Sequence, residues 1–188
     1  MATAKKKVDE QELTLAIWDE SGISFAPNIG TTWAPVGETP ILLETPGHHN
    51  HTMLGYITRS PRRHDLDFRF TSFKGAANTE DMIFFLAGLH HYYRSKVMIL
   101  WDHLSAHHAA ELHFEETQPN WFEFHYFPSY SPELNPVEPC WNQIKNVYLA
   151  NFVPTSDEEL VSTVLASGER INKEKLLPAF FMHAGITP

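Results

Sequence analysis

Three acidic residues stand at positions from which a chain can deliver carboxylates to one site. Asp19 follows the mostly apolar segment LTLAIW, and Asp102 follows the apolar segment VMILW. Glu138 lies in a stretch with four prolines between residues 128 and 139, which is stiff because proline fixes φ and removes a backbone donor. Carboxylate oxygens are hard ligands that suit Mg²⁺ or Mn²⁺. A structural alternative is that Asn135 and Glu138 form a helix-capping pair.

The first half of the chain is predicted to consist mostly of strands. Alternating or continuous apolar residues bounded by turn residues indicate short strands, which together suggest an antiparallel meander. Asp19 and Glu20 would point to opposite faces of the first strand, so only one of them can join a given site, and we choose Asp19. The predicted strands are residues 13–19, 41–44, 52–58 and 66–73.

In the second half, helices alternate with strands. Residues 97–101 form a short apolar strand with Asp102 at its C-terminal end, where an open α/β sheet usually carries its chemistry. The helix after the proline-rich stretch would dock Trp141 and Ile144 on the sheet. A second strand is predicted at residues 122–127. The predicted helices are residues 79–93, capped by Asn78 or Thr79, then 105–116, 157–167, capped by Thr155 or Ser156, and 173–181.

The segment FPSYSPELNPVEPCWNQIK, residues 127–145, resembles the third catalytic block of the mariner superfamily of DDE transposases. The form is the one used by bacterial insertion sequences. Glu138, Trp141 and Lys145 occupy the places of the acid, the tryptophan and the lysine of that block. The resemblance extends over about residues 13–165.

The other two acids of the family pattern also have counterparts. Asp102 is followed by His107, as the family's second acid is followed by a histidine, and 35 residues separate Asp102 from Glu138, as the resemblance requires. Asp19 begins an Asp-Glu-Ser triplet that resembles the family's first acid. The chain departs from the family at His103, where asparagine is usual.

The resemblance implies an α/β fold that is RNase H-like, with a mixed five-stranded sheet flanked by helices. It implies that Asp19, Asp102 and Glu138 are catalytic and hold two Mg²⁺ or Mn²⁺ ions, which clamp the attacking and leaving oxygens when roughly 3.5–4 Å apart. The implied activity is cleavage of DNA strands at transposon ends followed by strand transfer into target DNA, at a TA dinucleotide by analogy. The implied partners are double-stranded DNA and further copies of the chain, as a homodimer or homo-oligomer.

Several other residues are expected to support the site or contact DNA. His107, Asn135 and Lys145 belong to the matching motifs. Arg59, Arg62 and Arg63 form the most basic predicted surface cluster and could contact phosphates, although a solvated loop is the alternative.

The domain organisation is predicted to be simple. Residues 1–11 form a polar tail, and residues 12–188 form one catalytic domain. Complete family members carry N-terminal helix-turn-helix modules, and nothing before Leu13 could fold into one. We therefore expect a separate N-terminal DNA-binding polypeptide, or a second reading frame, a truncated copy or an excised domain.

The charge leaves a second function open. The formal net charge is -9, with 14 Lys and Arg against 23 Asp and Glu, whereas phosphate binding rests on Lys and Arg. The alternative is a catalytically silent or domesticated transposase remnant that acts in DNA binding or oligomerisation. A third hypothesis uses the twelve histidines as zinc ligands, but no HExxH spacing is present.

The cellular location is predicted from what the sequence lacks. It has no apolar run long enough to span a membrane, no signal-peptide pattern and one cysteine, Cys140. We expect a protein of the bacterial cytoplasm, associated with the nucleoid when active and with no membrane partner.

Overall fold

The sheet is mixed and five-stranded in the part of the chain that the computed structural model describes, which is residues 12–42, 50–61, 65–129 and 131–186. The strand order is β3-β2-β1-β4-β5. The first three strands pair antiparallel, and β4 and β5 continue the sheet in parallel. The strands are β1 (Thr14–Ser24), β2 (Asn50–Arg59), β3 (Leu66–Lys74), β4 (Val97–Trp101) and β5 (Phe122–Tyr126).

Helices cover both faces of this sheet. Two pack on one face, and the remaining three pack on the other. None of the helices in the described ranges is long and apolar enough to cross a membrane. The helices are α1 (Thr79–Tyr93), α2 (Ser105–Thr117), α3 (Glu138–Asn142, continued by a π-helical turn over Gln143–Tyr148), α4 (Asp157–Lys173) and α5 (Leu177–His183), with a 3₁₀ turn at Pro132–Leu134.

Strand residues divide between the two faces by their parity. On β1, Leu15 and Ile17 enter the core covered by α3, α4 and α5, whereas Ala16 and Trp18 enter the core covered by α1 and α2. Asp19 therefore continues the α3 face, and Glu20 continues the α2 face. The prediction that the two acids point to opposite faces is confirmed.

β1 and β4 separate at the level of the acids. Their parallel register pairs Ile17 with Leu100, and extending it by two residues places Asp19 level with Asp102. β4 ends at Trp101, but β1 continues to Ser24 because β2 pairs with it along that whole length. The prediction that Asp19 ends its strand is therefore wrong. The missing neighbour beyond Trp101 leaves a gap in the sheet beside β1.

Most helix starts agree with the prediction. Asn78 accepts hydrogen bonds from the backbone of Glu80 and Asp81, and the Asp81 carboxylate accepts from the Asn78 backbone, so the capping box of α1 is complete. Ser156 caps α4 by accepting a hydrogen bond from the Glu159 backbone. These local contacts are readable from the sequence because donor and acceptor are only a few residues apart.

Other predicted elements differ from the structure. Residues 41 and 42 belong to no strand, and the rest of the predicted strand 41–44 lies outside the described residues, as does the tail of residues 1–11. α4 continues to Lys173, so the last helix begins at Leu177 rather than near Lys173. The two helices are separated by Lys175, whose φ of 55° is left-handed, and by Pro178 in the first turn of α5.

The exposed edge of β3 is covered in part by a side chain of α4. The Asn172 amide accepts a hydrogen bond from the Phe68 backbone N–H at 3.0 Å and donates to the Phe68 carbonyl at 2.8 Å. The amide thus replaces the two bonds that another strand would make at this point. Such a cover blocks edge-to-edge pairing with another chain.

We expect Asn172→Ala to destabilise the fold, because the backbone groups of Phe68 lose both partners. The loss should be about 1–2 kcal/mol, which corresponds to a melting temperature lower by about 2–8 °C for a chain of this size. Thermal unfolding measures it. Asn146→Ala is the matched control, because the Asn146 amide bonds only to the exposed Asn142 side chain and should shift stability by less than about 0.5 kcal/mol. Equal melting temperatures for the two variants would contradict the prediction.

Candidate active site

The three predicted acids line one cavity. Asp19, Asp102 and Glu138 border a space of about 540 Å³ at the gap between β1 and the end of β4. Each carboxylate comes from a different element: the middle of a strand, the residue after a strand and the first residue of a helix. Phe127, Asn135 and several residues of the proline-rich stretch complete the wall.

The Asp19 carboxylate is held by the indole of Trp141. The Trp141 Nε1–H donates a hydrogen bond of 2.9 Å to Asp19 Oδ2. The indole reaches this position by lying against Gly55, which pairs with Asp19 across β1 and β2. A methyl group at residue 55 would lie 2.6 Å from Trp141 Cη2, so only glycine leaves room for the ring. Phe68 and Phe70 contact the ring edge-on, with centroids 5.3 Å and 5.7 Å away.

Glu138 is positioned by the buried side chain of Asn135. The Asn135 Nδ2 donates to the Trp18 carbonyl at 3.4 Å, and its Oδ1 accepts from the Val137 N–H at 3.1 Å. The first bond joins the proline-rich stretch to β1 one residue before Asp19. The capping-box alternative is wrong, because Val137 is the N-cap residue of α3 and no side chain caps that helix. The Glu138 carboxylate is therefore not used to hold the helix start.

Asp102 is held through its own loop and through His107. Its Oδ1 accepts a hydrogen bond from the Leu104 N–H at 3.1 Å and lies 2.8 Å from His107 Nδ1. His107 is only 1% exposed, and its ring stacks on Trp101 with a centroid distance of 4.4 Å. The other ring nitrogen, Nε2, lies 3.2 Å from Glu20 Oε2, in an alignment too poor for a hydrogen bond. Glu20 does not border the cavity, but the ring of His107 lies between its carboxylate and that of Asp102.

Burial and like charges raise the pKa of Asp19 to about 8. The largest cause is burial, followed by the charges of Glu138 and Glu20, and the hydrogen bond from Trp141 offsets part of the rise. The pKa of His107 is also raised, but here burial acts against the shift. Burial alone would lower it, but the contacts with Glu20 and Asp102 outweigh burial and raise the pKa.

Lys145 lies beside the acids but faces a neighbouring cavity. Its Nζ donates a hydrogen bond of 2.6 Å to Ser21 Oγ, and it borders a space of about 440 Å³ with Asn28 and His51. Burial lowers the pKa of Lys145, although the charges of Glu138 and Asp19 act in the opposite direction. Lys145 therefore lies close enough to Glu138 and Asp19 for their charges to favour its protonated form.

Arg59, the first residue of the predicted surface cluster of arginines, is buried. This residue ends β2 and is only 2% exposed, so the prediction that it presents charge to DNA is wrong. Its side chain leaves β2 on the same face as Ile57, which lies in the core covered by α3, α4 and α5. Arg62 and Arg63 lie outside the described residues.

The donor set at the three acids fits a hard divalent cation. In the described ranges, no three His, Cys, Asp or Glu side chains lie close enough together to hold a metal ion. Asp102 is turned toward His107, and Asp19 toward Trp141. Oxygen donors suit Mg²⁺ or Mn²⁺, and a cation would stabilise the ionised form of Asp19, whose pKa is raised first by burial and then by its acidic neighbours.

The fold and this site define a nuclease class. Residues 14–160 match the family model of the DDE superfamily endonucleases. The chain belongs to this family. Comparison with curated protein sequences finds no significant match.

Solved structures of a mariner transposase share the fold. The Mos1 paired-end complex with Mn has a TM-score of 0.59 and 15% identity over 95% of this chain and 60% of that one. The Mos1 strand transfer complex has a TM-score of 0.56 and 15% identity over 95% of this chain and 58% of that one. The RNase H-like fold is therefore confirmed. The chain spans about three fifths of the length of these structures.

Two supporting residues were not found by sequence reasoning. Gly55 lies within the predicted strand 52–58 with no predicted role, and the choice of Asp19 leaves Glu20 outside the predicted site. No local pattern marks Gly55, because its importance depends on Trp141, which lies far along the chain. Glu20 could have been linked to His107 only by knowing that β1 and β4 are neighbours.

Replacing Gly55 by alanine should displace the Trp141 indole and weaken divalent cation binding. The added methyl group would overlap the ring, and Asp19 would lose its hydrogen bond. We expect Mn²⁺ affinity to fall several-fold and stability to fall by about 1–3 kcal/mol, measured by calorimetry and thermal unfolding. Gly88→Ala in α1 is the control, because a methyl group there meets no atom within 4 Å. Unchanged Mn²⁺ affinity in Gly55→Ala would refute the positioning role of this glycine.

Asp19→Asn should stabilise the metal-free chain in a pH-dependent way. In wild type, folding raises the pKa of Asp19 from 3.8 to about 8, so stability falls as pH rises through that window. The asparagine avoids this loss while still accepting the Trp141 hydrogen bond. We expect the melting temperature of the variant to exceed that of wild type by a few degrees near pH 8 and by little near pH 4.

The exposed Glu116 supplies the control as Glu116→Gln, which should show no such pH-dependent difference. Mn²⁺ should reverse the order near pH 8, because only wild type retains the charged ligand. A pH-independent gain for Asp19→Asn would contradict the prediction.

Proposed function

We propose that this chain is the catalytic domain of a transposase of the mariner superfamily. It cleaves DNA strands at transposon ends and joins the freed 3′-hydroxyl to target DNA, at a TA dinucleotide by family analogy. The observation that carries this proposal is that Asp19, Asp102 and Glu138 come from three separate elements to line one cavity. Membership of the DDE superfamily endonucleases supports it.

The three carboxylates would hold two Mg²⁺ or Mn²⁺ ions. Asp19 and Asp102 would share the ions, and Glu138 would complete the second position. Such ions activate the attacking oxygen and neutralise charge on the phosphoryl group. Solved complexes of the Mos1 transposase with Mn and with Mg support the choice of ion.

The roles of the chain's own residues follow from the contacts. Trp141 orients Asp19, and Asn135 joins the strand before Asp19 to the start of α3. His107 holds Asp102 from behind and links it to Glu20. The proposed effect of these contacts is to fix the direction of each carboxylate before DNA arrives, which limits the reorganisation needed for catalysis.

The proposed partners are double-stranded DNA and further copies of the chain. Most lysines and arginines with described contacts already pair with acids, as Arg69 does with Asp67 and Lys74 with Asp157. We therefore propose that an N-terminal DNA-binding part, joined to this chain or separate from it, provides most contacts to phosphates. The active complex is proposed to be a homodimer or larger homo-oligomer at the bacterial nucleoid.

Asp102→Asn should abolish strand cleavage while the fold remains intact. Asp102 is 56% exposed, so the substitution disturbs no packing, but it removes a negative ligand from the site. We expect wild type to bind Mn²⁺ and to nick supercoiled plasmid, and the variant to lose nicking by at least about a hundredfold. Calorimetry with Mn²⁺ and gel analysis of the plasmid measure the two effects.

The matched control is Glu133→Gln. Glu133 lies in the same proline-rich stretch as Glu138 but does not border the cavity of the three acids, so nicking should be unchanged. Nicking by Asp102→Asn at the wild-type rate would refute the site. Absence of both Mn²⁺ binding and nicking in wild type would instead favour the domesticated remnant, for which the acidic surface is the specific support.

A further inference from the structure

His103 places an exposed aromatic face at the mouth of the catalytic cavity. It follows Asp102 directly and borders the same cavity as the three acids. One face of its ring stacks on Tyr126 of β5, with a centroid distance of 4.5 Å and an angle of 11° between the planes. Because the residue is exposed, its imidazole remains accessible to a second planar group.

The ring behind His103 is rigidly held. The Tyr126 hydroxyl donates a hydrogen bond to Glu111 and lies 3.0 Å from His108 Nδ1. The Tyr126 ring also stacks on His108, with centroids 5.0 Å apart. The His103 and His108 rings lie side by side against Tyr126, with their centroids 6.0 Å apart. A planar group that stacks on His103 would therefore add a third layer to the His103–Tyr126 pair, and little side-chain entropy of Tyr126 would be lost on binding.

The described side chains of the cavity wall offer little to phosphates beyond the one that the proposed metal ions would bind. Among the described residues that line it, none is lysine or arginine, and three are acids. Next to His103 lies Leu104, whose apolar side chain is 43% exposed. Beyond it, Phe127 and Pro128 add further apolar surface. Base stacking and apolar contact are the attractive interactions that such a wall can offer to a nucleic acid.

We propose that His103, backed by Tyr126, is a stacking platform for an unpaired nucleobase at the end of the DNA that is cleaved or joined. Leu104 is the apolar wedge beside it. The subsite takes a single-stranded terminal nucleotide of any sequence, because every base has a π-face. This inference rests on the proposed function, and it assigns to His103 a positioning role that uses its ring rather than its nitrogen atoms.

Two substitutions separate the ring from its nitrogen atoms. His103→Phe keeps the planar ring and removes both nitrogens, whereas His103→Asn keeps a polar amide and removes the ring. The probe is a short DNA duplex with a 3′ overhang whose last base is 2-aminopurine, compared with the same duplex made blunt, in Mn²⁺. Fluorescence anisotropy gives affinity, and quenching of 2-aminopurine reports stacking. Plasmid nicking is measured in parallel.

We expect wild type and His103→Phe to prefer the overhang and to quench 2-aminopurine. His103→Asn and His103→Ala should lose the quenching and weaken binding to the overhang by about tenfold. His113→Ala is the matched control, because His113 is an exposed residue of α2 outside the cavity and should behave as wild type.

The opposite pattern, with His103→Asn like wild type and His103→Phe like His103→Ala, would overturn the proposal in favour of a polar role. Nicking by wild type without preference for the overhang or quenching would overturn the stacking subsite alone. Wild type that binds neither Mn²⁺ nor either duplex and does not nick plasmid would overturn both this inference and the proposed function.

Discussion

The hydrogen bond from the Trp141 indole to Asp19 is the contact on which the site depends. It joins α3, which carries Glu138, to the middle of β1, and it forms only because Gly55 leaves the ring room on the sheet. The same ring fills the core between β2, β3 and α3. One side chain, that of Trp141, therefore both packs this side of the fold and sets the direction of the Asp19 carboxylate. A change that loosens the core at Trp141 also moves a carboxylate of the site.

Burial of Asp19 close to other acids lowers the stability of the folded chain when the carboxyl is ionised. Asp19 is buried near Glu138 and Glu20, and burial with these charges raises its pKa to about 8. A divalent cation would reverse this penalty, because it stabilises the ionised form that burial disfavours. Asp102 is directed instead toward His107, whose Nδ1 lies 2.8 Å from its Oδ1.

The gap between β1 and β4 gives the cavity its location and its character. β4 stops at Trp101 while β1 continues, so the sheet opens where the acids meet. The walls are acidic and apolar, with His103 and its backing ring at the mouth. Such a cavity suits the reacting end of a DNA strand better than a length of duplex, whose phosphates need positive charge. An acidic net charge is compatible with the proposed DNA cleavage if another part of the assembly binds the phosphates of the duplex.

The sequence by itself determined the positions of five strands, the caps of α1 and α4 and the choice of the three acids as candidates, because these depend on periodicity, on contacts a few residues apart and on motif spacing. The helix boundary at Lys175, the length of β1 and the burial of Arg59 could not be predicted in this way, since each depends on distant partners. Tertiary structure alone decided that Gly55 makes room for Trp141, that Asn135 bonds to Trp18 and that Glu20 acts through His107. The physical reason is that these contacts join residues far apart in the chain, and only the strand order and register bring them within reach.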